Sequence, residues 1–202
     1  MAPLTFSFLL MAAALAGGVL GAQTIAPATR WPIGDVPATL RPAVSLADLI
    51  IVDLQNALRR QLVDKLSQGG PERALPACHM DPKTLARRVA LSGTMAAGFT
   101  SDRLRNPANK PAAWAADIVA ANAGRRAEDV EGFVVDLGGR LGVIRPIVQQ
   151  TLCASCHGPT EKMSAGVQRA LAERYPADRA IGFAEGEIRG WFWVELPATA
   201  GR

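Results

Sequence analysis

The chain has 202 residues, 49% of them hydrophobic and 20% charged, with a formal net charge of +4. That composition excludes intrinsic disorder and supports one domain with a real core, while leaving too little chain for two comfortable domains. Three cysteines are too few for a disulfide scaffold, and the 22 Lys and Arg are scattered rather than clustered, which argues against nucleic-acid binding.

No charged side chain occurs from Met1 to Thr29, and Phe6 to Leu20 is apolar apart from Ser7, Gly17 and Gly18. Gly21 and Ala22 supply the small residues a signal peptidase prefers, so residues 1–22 are expected to be a cleaved export signal. The alternative is an uncleaved anchor facing the periplasm, for which the run is short and rich in Ala and Gly. Membrane association is expected only in that case. No cysteine closely follows the run, which disfavours a lipoprotein. A periplasmic location is expected, and with it an oxidising compartment.

Residues 23–44 hold four prolines and no periodicity, and read as an irregular lead-in to a single domain over 45–202. Ser45 looks like a helix N-cap. Leu46, Leu49, Ile50, Leu54, Leu58, Leu62 and Leu66 recur at three- and four-residue steps until Gly69 and Gly70, which predicts a long amphipathic helix. Asp81-Pro82 opens a second helix towards Ser92. Met95 to Arg105 reads as a strand. Asn106 to Pro111 is irregular, with Asn side chains suited to local turn bonds. Trp114, Ile118 and Val119 mark a third helix ending near Gly124. Phe133 to Leu137, Gly138-Gly139 and Leu141 to Val148 form a β-hairpin, whose far end is blurred by Pro146. Met163 to Tyr175 is helical and closed by Pro176. Gly190 to Leu196 is a last strand, with Trp191 and Trp193 on one face and Phe192 on the other. Helices precede most strands, and one helix falls between strands. The class is therefore α+β: an antiparallel sheet with flanking helices and a long N-terminal helix.

Cys153-Ala154-Ser155-Cys156-His157 is a C-x-x-C-H sequence. Two thiols at this spacing can add to the vinyl groups of haem, and the adjacent imidazole can then reach the iron. In an exported chain this points to one covalently attached haem c, with Cys153, Cys156 and His157 holding it. The competing readings are a thioredoxin-like redox pair, and a zinc site completed by Cys78 and His79. With haem bound, candidates for the second axial ligand are Cys78, His79, Met80, Met95 and Met163. The residue types alone do not rank Cys78 above His79. Arg103, Arg105, Arg145 and Arg189 are candidate propionate partners, against ordinary surface charge for each. Gly158-Pro159 turns the chain away from the ring.

Three stretches resemble a family of single-haem c-type proteins with a PAS-like fold, long labelled a domain of unknown function. They are Ala77-Cys78, Arg103 to Trp114 through Asn106-Pro107-Ala108-Asn109-Lys110-Pro111, and Arg145 to Gly158 continuing through Tyr175 to Gly190. The resemblance covers most of the chain after about Leu46. It implies a PAS-like antiparallel sheet and His/Cys ligation, with His157 proximal and Cys78 distal. This sequence departs from the family's pattern in carrying His79 beside Cys78 and a less basic Thr100 to Arg105.

Electron transfer is the expected function, since two protein ligands leave iron little geometry to change. A redox or gas sensor acting through a separate signalling partner is the alternative, because a weak distal ligand can leave. No catalytic constellation stands beside the haem motif, so the chain is not expected to be an enzyme. The physiological redox or signalling partner carries no signature in the sequence.

Overall fold

The computed structural model describes residues 28–78 and 94–201, residues 77 and 78 by their backbone alone. The expected export segment, His79, Met80 and the helix expected from Asp81 lie outside the described residues. Among the described residues no helix is long and apolar enough to cross a membrane.

The class is α+β, as expected. Among the described residues five antiparallel strands form one sheet in the order β1-β3-β4-β5-β2. They are β1 (Arg30–Pro32), β2 (Ala96–Thr100), β3 (Phe133–Asp136), β4 (Arg140–Val148) and β5 (Ile188–Pro197). The helices are α1 (Arg41–Ala74), α2 (Ala113–Ala121), α3 (Ala154–His157) and α4 (Ala165–Arg174).

The long helix α1 begins at Arg41, before Ser45, because Pro42 suits its first turn. Its regular geometry breaks at Gly69 and Gly70, where the periodicity ends, and Gly70 adopts a positive φ of 74°. Val44, Ala47, Ile50, Ile51 and Leu54 are buried against one face of the sheet, formed by Val134, Leu141, Val143, Phe192, Val194 and Leu196. Ala115, Ile118 and Val119 of α2 cover the opposite face with Val135, Ile144 and Trp191. Strand alternation in β5 explains the division: Trp191 and Trp193 pack on the α2 side, and Phe192 on the α1 side. Gly142 lets the Trp114 indole lie close to β4, since a Cβ there would come within 2.9 Å of the ring.

Leu54 is wholly buried at the centre of the α1 interface. Leu54→Ala is expected to destabilise the fold by about 2–5 kcal/mol through lost burial and a residual cavity. Urea unfolding measures it, and a loss below about 1 kcal/mol contradicts this packing.

The hairpin reading is met closely. Gly138 and Gly139 have φ of 74° and 80°, and Leu137 N–H donates to Arg140 O at 2.9 Å. Two positive-φ residues give the mirror-image turn whose twist matches the flanking strands. Two further boundaries differ from expectation. The lead-in contains β1, which pairs Trp31 with Val134. Strand β2 stops at Thr100 because Ser101 turns away, its hydroxyl donating to Arg189 O at 2.8 Å. The Asn-Pro segment holds a 3-10 turn, Pro107–Asn109, whose Ala108 N–H donates to Asn106 Oδ1 at 3.0 Å.

Candidate functional site

The C-x-x-C-H motif begins where β4 leaves the sheet. A register shift between Ile147 and Val148 ends the regular pairing with β5. Gln149 then donates its N–H to Glu187 O and accepts from Gly186 N–H, both at 2.9 Å, so the chain is pinned before it turns. The 3-10 turn Thr151–Cys153 leads into the single turn α3. Two cysteines three residues apart on such a turn project from one side of it. Cys153 is half-buried and Cys156 is buried. Gly158 closes the turn. Its N–H donates to Ala154 O at 3.0 Å, and a Cβ there would meet that oxygen at 2.7 Å.

The loop after α4 folds back over the turn. Phe183 N–H donates to His157 O at 3.0 Å, and Gly182 N–H to Gly158 O at 2.8 Å. His157 Nδ1 lies 2.7 Å from Ala180 O. A carbonyl only accepts, so the proton sits on Nδ1 and the lone pair on Nε2. Burial pushes the imidazole pKa well below its usual value, and the Arg189 and Arg105 cations push it the same way. The ring is therefore neutral at neutral pH, with Nε2 ready to bind a metal. Phe183 meets it edge-on, with ring centres 6.5 Å apart.

Leu75 is wholly buried in a cluster with Cys156, Met163, Val167 and Leu171. Tyr175 Oη donates to Leu75 O at 3.0 Å. Leu75 opens the 3-10 turn Leu75–Cys78, so the backbone carrying Cys78 starts in the cluster that contains Cys156. Met163 shares that cluster, whereas Met95 packs with the α1 face of the sheet. The Cys78 side chain, His79 and Met80 lie outside the described residues. Among the described residues no three of His, Cys, Asp and Glu gather as a metal site.

The four arginines separate. The Arg145 fork grips both Asp48 carboxylate oxygens at 2.8 and 2.7 Å, tying β4 to α1. Arg103 pairs with Glu187 and stacks 3.5 Å from the centre of the Phe183 ring. Arg105 is buried beside His157, bonded to Asp178 and to Cys156 O. Arg189 is near enough for its charge to act on His157. Sequence reading missed Asp178 and the Ala180 carbonyl. Asp178 lies in the resembling stretch from Tyr175 to Gly190 with nothing to mark it out from its neighbours, and a backbone oxygen has no side-chain signal.

A protein-family model described as Tll0287-like matches residues 38–197. Among solved structures, the cyanobacterial heme-protein Tll0287 is 23% identical, covering 73% of this chain and 92% of that one, with a TM-score of 0.48. No curated protein matches the chain.

Proposed function

The chain belongs to the Tll0287-like family, and on that premise we propose that it is an exported, monohaem c-type protein that transfers electrons. The observation that carries this reading is the His157 Nδ1–H bond to Ala180 O, made by the histidine of a C-x-x-C-H turn. That bond fixes the tautomer and leaves the Nε2 lone pair available to a metal. The family's namesake is itself described as a heme-protein.

The residues present fit the group. Cys153 and Cys156 would form the thioethers, His157 would be the proximal ligand and Cys78 the distal one. Leu75, Met163, Val167 and Leu171 give the buried thiol of Cys156 an apolar surrounding. Haem supplies the one-electron chemistry. The protein holds the imidazole in one tautomer. The PAS-like part of the reading rests on the motif resemblance. A five-stranded antiparallel sheet with helical segments between β2 and β3, and between β4 and β5, accommodates it.

Spectra of the purified holo-protein, ferric and dithionite-reduced, with and without carbon monoxide, test the role. Electron transfer predicts a low-spin, six-coordinate iron that ignores carbon monoxide. Prompt carbon monoxide binding on reduction would mean that the distal ligand leaves, and would move sensing at the vacated iron ahead of electron transfer.

A further inference from the structure

Arg105 and Asp178 form an ion pair whose side chains are only 4% and 7% exposed. Nε donates to Asp178 Oδ2 at 2.9 Å. The other carboxylate oxygen, Oδ1, accepts the Ala180 N–H at 2.8 Å. Arg105 Nη2 donates to Cys156 O at 2.6 Å and reaches Ala180 O at 3.4 Å. Ala180 O is also the acceptor for His157 Nδ1–H. The pair therefore holds both peptide groups that set the position of the imidazole: the one preceding His157 in the motif, and the one that accepts the hydrogen bond from its Nδ1–H.

A buried ion pair is a weak source of net stability, because both charges lose their hydration. Its location is the more telling fact. We propose that the Arg105–Asp178 pair is a positioning device for His157 and sets the charge felt on the proximal side of the haem. The inference rests on the haem reading above. The Arg105 cation draws on the same carbonyl that orients His157 and so limits how far that carbonyl pulls the Nδ1 proton. A less polarised imidazole donates less to iron. A cation in a poorly screened interior also favours the reduced iron, which carries one positive charge fewer. Asp178 offsets that cation. Removing either partner leaves a lone charge of the opposite sign.

The experiment is a redox titration of holo-protein carrying Arg105→Gln, Asp178→Asn or Arg105→Lys, beside wild type. Arg105→Gln should lower the reduction potential and Asp178→Asn should raise it. Arg105→Lys keeps the charge and should stay close to wild type. A merely structural pair loosens the same turn whichever partner is lost, and so moves both single variants in one direction. Shifts of the same sign, or no shift in either, overturn the proposal. Should Arg105→Gln yield no folded holo-protein, Asp178→Asn decides it: an upward shift supports the proposal, and a downward or absent one overturns it. Wild-type protein without a haem Soret band sinks the haem reading and this inference with it. A haem-bearing wild type with unmoved variants sinks this inference alone.

Discussion

His157→Ala is expected to abolish the low-spin, six-coordinate ferric spectrum and to cut the yield of holo-protein about tenfold or more. Disturbing a group that merely orients a metal ligand typically costs 10- to 100-fold in affinity, so loss of the ligand itself should cost at least as much. In this chain the imidazole donates its Nδ1–H to Ala180 O, while Phe183 N–H holds the His157 backbone carbonyl and Arg105 holds the carbonyl of the residue before it. None of those contacts can supply a nitrogen to iron once the ring is gone. Any haem still attached through Cys153 and Cys156 should be high-spin, and added imidazole should restore a low-spin spectrum by filling the emptied position. A variant that keeps the wild-type spectrum without imidazole would remove His157 from the iron.

Cys78→Ala carries the second large effect. The haem should stay covalently attached, because Cys153 and Cys156 are untouched, while the ferric thiolate signature disappears. A thiolate pushes electron density onto iron, so its loss should also raise the reduction potential. The turn Leu75–Cys78 is anchored by the buried Leu75 and by the Tyr175 hydroxyl on Leu75 O. The substitution at its far end should therefore leave the packing around Cys156 intact. An unchanged ferric spectrum would sink the thiolate assignment and bring His79, its chain neighbour, forward as the distal ligand.

Local signals in the sequence foretold the elements that local physics decides. The leucine spacing marked α1, and two glycine pairs marked its break, at Gly69-Gly70, and the hairpin turn, at Gly138-Gly139. Alternation along Trp191-Phe192-Trp193 sorted three large side chains onto two faces. Strand β1 had no such signal. Its three residues, Arg30–Pro32, are extended only because β3 pairs with them about a hundred residues on. The end of β2 was likewise set at long range, by the Ser101 hydroxyl bond to Arg189 O. A position near the motif in sequence does not say what a side chain pairs with: Arg145 lies eight positions before Cys153, and its fork grips Asp48 on α1.

The candidate site divides in the same way. Cys153, Cys156 and His157 lie within one pentapeptide, so their chemistry is written in one short stretch. What orients His157 is not. Arg105 meets Asp178 across 73 positions, and the acceptor at Ala180 is a backbone oxygen that any residue would offer. Arg105 was a candidate propionate partner on the sequence, but the groups it meets were not legible. The fold turns it inward to an aspartate and a carbonyl.

The most direct test of the central claim is the intact mass and haem stain of the chain, co-expressed with a cytochrome c maturation system and run under denaturing conditions. The account predicts a chain heavier by one haem, still coloured after denaturation, with both additions lost in the Cys153→Ala/Cys156→Ala double variant. A chain of unmodified mass that carries zinc and no covalent haem would contradict it.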